Sequence, residues 1–132
     1  MSDAGTPAPV EYLEVDDLLA AGRALLGAEP VVRDWGALDS AVHRPQSSMF
    51  GVDAYPTLDT KAAALMLSCV QSHALLDGNE RLGVVAVVTF YGLNGRRFVA
   101  PHEELYVLTM AIADGSLGDV YTVASTLAPW AR

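Results

Sequence analysis

The chain has 132 residues, 52% of them apolar and 18% charged, with 8 Lys+Arg against 16 Asp+Glu and a net charge of -8. That is one domain's worth of sequence, apolar enough to build a core and too apolar for intrinsic disorder. The acidic balance argues against a general nucleic-acid binder and against docking on anionic membranes, both of which need basic surface. The single cysteine, Cys69, excludes an internal disulfide and any multi-cysteine metal site.

Residues 1–10 are small, polar and proline-containing, carry Asp3 and no basic residue, and precede no apolar run. They read as a disordered tail ahead of a single domain over 11–132, not as a secretory signal. Glu14–Leu26 is expected as the first helix, with leucines at helical spacing, Asp16 and Asp17 at its positive end and Gly27 as its stop. Asp34 reads as the N-cap of a short helix, Trp35–His43, which Pro45 ends. Arg44–Leu58 is a loop rich in turn formers that also holds Met49, Phe50, Val52 and Tyr55, suiting either a lid or docking surface or a local tuck into the core. Asp59 is expected to cap a central, buried helix running to about His73.

The segment Arg81–Leu93 is valine-rich. Propensity favours a strand, whereas its length and the Asn94-Gly95 stop favour a helix; pattern leaves both open. The longest apolar run in it, Val84–Phe90, is far short of the roughly 20 residues a membrane helix needs, so a soluble protein in a reducing cytoplasm is expected. Arg96–Ala100 reads as extended. Pro101 opens a further helix to about Gly115, and Asp119–Trp130 forms the last. The expected whole is mostly α with at most a small β-hairpin.

The chemistry-bearing residues concentrate in His73-Ala74-Leu75-Leu76-Asp77-Gly78-Asn79-Glu80-Arg81. A histidine can act as a base near neutral pH. An aspartate supplies a hard oxygen to Mg²⁺, which needs only one or two carboxylates when phosphate oxygens complete its shell. Gly78 and Asn79 permit a tight turn and expose N–H groups at a helix N-terminus, a natural anion site. Arg81 can hold phosphate bidentately. Base, metal ligand, anion cradle and arginine together describe phosphoryl or nucleotidyl transfer. Taken singly, each residue is more simply a cap or a turn.

These residues also carry a resemblance. The stretch resembles the Fic/Doc superfamily motif His-x-Phe-x-Asp/Glu-Gly/Ala-Asn-Gly/Lys-Arg at His73, Asp77, Gly78, Asn79 and Arg81. Arg33–Pro45 and Leu93-Asn94-Gly95 resemble the Doc branch. The resemblance runs from about Tyr12 to Trp130. It implies an all-α, compact bundle of about six helices with a flap loop, and so a helix for the valine-rich segment. It further implies a toxin of a toxin–antitoxin pair that phosphorylates elongation factor Tu with ATP and Mg²⁺, His73 taking the proton of the target hydroxyl, Asp77 binding Mg²⁺, and Gly78, Asn79 and Arg81 holding phosphates. The flap, with Phe50, Gly51 and Tyr55, would align the target segment. A Phd-like antitoxin would lay a helix along a groove. The alternatives within the same resemblance are a Fic-like AMP transferase and a catalytically inactive protein that only binds an antitoxin.

Two positions depart from the motif. Leu75 replaces the usual Phe, a volume-tolerant apolar exchange. Glu80 stands where Doc proteins carry Lys and Fic enzymes carry Gly. A unit charge at about 4 Å is worth roughly 1 to 4 kcal/mol between water-like and surface-like dielectrics. If Glu80 faces the phosphates, ATP binding falls by about tenfold or more; if it rotates away, or Mg²⁺ offsets it, the penalty shrinks. Of the rest, His102, Glu103 and Glu104 read as a solvated helix start, His43 as a helix-end or flap residue, and Cys69, Trp35 and Trp130 as packing.

Overall fold

The computed structural model describes residues 9–132. The expected tail over 1–10 falls mostly outside them, and Val10 already packs against the core. Six α-helices are present: α1 Val15–Leu26, α2 Trp35–His43, α3 Leu58–Gln71, α4 Asn79–Leu93, α5 His102–Ala113 and α6 Val120–Leu127. Between α2 and α3 lie a 3₁₀ turn, Arg44–Gln46, and a two-strand antiparallel hairpin, β1 Ser48–Met49 and β2 Val52–Asp53. The expected mostly α fold with a flap is therefore what forms.

The hub is α3. From Thr60 to Leu67 every residue is buried, because α3 packs against α2, α4, α5 and α6 together. A helix wrapped on all sides is apolar all round, as its sequence is. Its closest neighbour is α4. A Cβ added to Gly83 would sit 2.4 Å from Val70 Cγ2, so the missing side chain sets how near the two helices approach. That burial settles the valine-rich segment as helix: Leu82, Val85, Ala86, Val87, Phe90 and Tyr91 are all inside. Propensity loses here to tertiary packing.

Local signals account for most boundaries. Asp34 caps α2 by accepting from the Ala37 N–H at 3.0 Å, and Asp119 caps α6 from the Thr122 N–H at 3.0 Å. At α3 the expectation needs correction. Thr57, not Asp59, is the N-cap, in a reciprocal pair with Thr60. Asp59 lies inside the helix and accepts from the Tyr91 hydroxyl at 2.6 Å, and burial together with Asp59 pushes that phenol's pKa up. The extended segment after α4 pairs with the chain's end, Arg97 and Arg132 exchanging backbone hydrogen bonds at 2.7 and 2.8 Å. Trp130 is buried as expected, whereas Trp35 is 60% exposed: α2 turns that side chain outward from its first position. Cys69 is fully buried, and burial pushes its thiol pKa up to about 12.

Candidate active site

Helix α3 ends at Gln71, short of His73, for a conformational reason. His73 adopts a left-handed backbone, φ 52°, which costs a non-glycine residue roughly 1–2 kcal/mol and ends the helix. The side chain of Arg33 holds this turn, its Nη2 donating to the His73 carbonyl at 2.7 Å. Residues 31–34 then run antiparallel to the loop: Arg33 and Asp34 N–H groups donate to the Ala74 carbonyl, and Leu76 N–H to the Val31 carbonyl. The His73 imidazole is exposed and has no hydrogen-bond partner among the described residues.

The second half of the loop is built by Asn79 and Gly78. Asn79 Oδ1 accepts from the Leu75 N–H at 3.0 Å and its Nδ2 donates to the Leu75 carbonyl at 3.2 Å. Most of its hydrogen-bonding capacity thus goes to closing the loop rather than to a ligand. Leu75, buried beneath, fills the place of the motif's phenylalanine. Gly78, with φ 82°, is the left-handed N-cap of α4. A Cβ there would lie 3.1 Å from Arg81 Nη2, so glycine both makes the turn and leaves room for the guanidinium to fold back over it. The Gly78 N–H donates to Asp77 Oδ1 at 2.8 Å, which leaves the other carboxylate oxygen open. The N–H groups of Asn79, Glu80 and Arg81 form the first turn of α4, where no carbonyl of the helix can reach them.

A cleft of about 350 Å³ opens over this turn, lined by Asp77, Gly78 and Arg81 at one side and by Glu29, Pro30, Val31 and Leu76 at the other. Charged groups beside apolar surface suit an anion joined to a flat organic group, and the Glu29 carboxylate on the second side is paired with Arg23 at 3.1 Å. Among the described residues no three His, Cys, Asp or Glu side chains gather into a metal site. A cation at Asp77 would therefore need oxygens from its ligand, the habit of Mg²⁺ on a phosphate chain.

A second groove, of about 430 Å³, lies across the other side of α4. Val84 and Val88 floor it, Leu25 and Leu26 of α1 form one wall, and Leu105, Tyr106 and Met110 of α5 the other. Leu26 and Arg81 line both spaces. Glu80 lines only the apolar groove. Successive helical side chains diverge by about 100°, so Glu80 shares the groove with Arg81 but not the cleft.

The cleft thus brings Asp77, Gly78 and Arg81 together, whereas His73, exposed on the same loop, lines neither space, and Glu80 lines the groove. Phe50, Gly51 and Tyr55 line neither space. Their hairpin is tied to the first turn of α3, whereas His73 follows its last, and the helical rise from Lys61 to the end of α3 at Gln71 is about 15 Å. Phe50 is 97% exposed at the tip. Arg33 escaped the sequence reading, because its contact spans 40 residues. His43 sits at the end of α2 with Nδ1 2.8 Å from the Asp39 carbonyl and Nε2 3.4 Å from Glu14. The Asp39 carbonyl foremost, with the Asp39 and Glu14 carboxylates, holds its pKa above the ordinary value.

A family model described as the Fic/DOC family matches residues 12–91, from the residues before α1 through most of α4. Toxin Doc of Mycolicibacterium smegmatis is 51% identical over 93 residues, covering 70% of this chain and 72% of that protein. The chain belongs to the Fic/Doc family, and within it to the Doc-like toxins. Members of the family are typically transferases acting on ATP, generally with Mg²⁺. No described helix is long and apolar enough to cross a membrane.

Proposed function

We propose that this chain transfers a phosphoryl group from Mg-ATP to a hydroxyl side chain of a translation factor of the elongation factor Tu type, in the cytoplasm, and that a Phd-like antitoxin restrains it. The observation that carries this reading is the His73–Arg81 loop, stapled by Arg33 and Asn79 beside a cleft that Asp77, Gly78 and Arg81 line, in a chain this similar to a Doc toxin.

In this reading the cleft holds the nucleotide, with Pro30, Val31 and Leu76 against its base. The guanidinium of Arg81 and the first-turn N–H groups of α4, beginning behind Gly78, receive phosphate oxygens. Asp77 offers its open oxygen to Mg²⁺, which when bound offsets phosphate charge. His73 takes the proton as the acceptor oxygen forms its bond to the γ-phosphorus. The bond from that phosphorus to the bridging oxygen breaks, and ADP leaves. Phe50, Gly51 and Tyr55 on the hairpin present the acceptor segment. In this reading Glu80, which lines the groove and not the cleft, keeps its charge away from the phosphates, and that supports an active protein over an inactive one.

The groove suits an amphipathic helix of the antitoxin. Its floor along α4, from Glu80 to Val88, is about 12 Å long, some two turns of a docked helix. Arg81 at its end would feel an occupant of either space.

Intact-mass measurement of elongation factor Tu after incubation with the protein and Mg-ATP tests the reading. A phosphate-sized gain is expected, slowed by about 10²- to 10⁴-fold in His73→Ala. An AMP-sized gain would move the protein to AMP transfer, and no gain with either the natural chain or Glu80→Lys would overturn the reading.

A further inference from the structure

The geometry points to Lys61 as the positioning residue of the hairpin, a strut from the core that holds the flap where an acceptor segment meets it. The inference rests on the flap's role in the reading above. Lys61 is the one lysine of the chain, and it is 2% exposed on a helix whose next six residues are all apolar and buried. Among the described residues it is the only buried side chain that carries a full charge. An ammonium taken out of water is costly unless it is paired and hydrogen-bonded. Here all of its recorded partners come from the hairpin's return leg. Its Nζ donates to Asp53 Oδ2 at 3.2 Å and to the Tyr55 carbonyl.

The hairpin has little else to hold it. Its strands are two residues each and every residue from Ser48 to Asp53 is exposed; a ladder that short has no stability of its own. The remaining tie is Arg44, whose Nε donates to the Tyr55 hydroxyl at 2.9 Å with the guanidinium 5.4 Å over the ring. Lys61 and Arg44 therefore grip Tyr55 by its two ends, main chain and side chain. Asp53 carries the pull into β2. The left-handed pair Phe50-Gly51, φ 52° and 77°, turns the tip beyond this anchored base.

Amide exchange and steady-state kinetics on Lys61→Met and Asp53→Asn test the proposal in the full-length chain. Exchange at residues 48–55 is expected to rise by about tenfold in Lys61→Met and less in Asp53→Asn, with α3 and α4 unchanged. The KM for the acceptor protein should rise by a similar factor, while kcat and the KM for ATP hold. A merely structural loss would instead speed exchange across α3 and lower kcat, which would overturn the assignment. Unchanged exchange at 48–55 in both variants would also overturn it, and so would loosened hairpins with an unaltered acceptor KM. Should Lys61→Met not fold, Asp53→Asn, altered on the exposed side of the pair, decides alone. Absence of transfer by the natural chain would sink the functional reading, and the exchange data would still decide whether Lys61 holds the hairpin.

Discussion

The cleft beside the loop is lined by Asp77, Gly78 and Arg81, with Glu29 facing them, while the groove across α4 is lined by Val84, Val88, Leu105, Tyr106 and Met110. Both are served by the same helix and both reach Arg81, yet they offer opposite things. One is a place to put charge, the other a place to lose water. The contrast arises from rotation about a single axis: the first turn of α4 presents unpaired N–H groups along the axis, and its flank presents valines. A short helix can thereby carry a ligand at its end and a macromolecule on its side, with one arginine at the corner.

Substitutions that weigh on the two spaces unequally break this comparison. The largest effect is expected from Arg81→Ala, which removes the charge-assisted contact at the corner. ATP affinity, measured by calorimetry, should fall by about a hundredfold, given roughly 1.5–3 kcal/mol for a hydrogen bond to a charged group. Val88→Glu sets a carboxylate on the floor of the groove; binding of a Phd-like antitoxin should weaken by about thirtyfold with ATP affinity unchanged, because the cost is desolvation on one side only. Glu80→Lys sharpens the contrast further. A side chain facing the phosphates would change ATP affinity by tenfold or more on charge reversal, whereas one facing the groove should change it by less than about threefold.

The smallest effect lies away from both spaces, at His43. Its folded pKa is raised above 6.5, so its contribution to stability is complete below the unfolded pKa and is lost as pH rises through the folded one. Thermal unfolding of His43→Gln against the natural chain should show a difference at about pH 5.5 that closes by about pH 8.5. The half-exposed pair limits it to about 0.5 kcal/mol.

How much of this could be read from the residues depends on the range of the forces involved. The cap at Asp34 was legible because a side chain bonds a backbone group three residues on. The cap of α3 was not: Asp59 was expected there, but it lies inside the helix and bonds the Tyr91 hydroxyl, and Thr57 caps instead. The valine-rich segment could not be assigned by propensity, because what makes it a helix is its burial against α3 across Gly83. At the site, the identities of His73, Asp77, Gly78 and Arg81 were visible as a motif. The left-handed turn at His73 and its staple by Arg33 were not, as they depend on strands of contact closing over 40 residues. For Glu80 the motif gave the position and left the direction open; the side chain lines the groove and not the cleft.

The burial of Lys61 also fixes how the folded chain meets amine chemistry. With its one lysine 2% exposed and held by Asp53 and Tyr55, the native surface offers no lysine to acyl donors, cross-linkers or enzymes that attach degradation tags through an isopeptide bond. Such marks can reach this side chain only after the hairpin lets go, so the extent of lysine labelling becomes a direct count of molecules whose flap has opened.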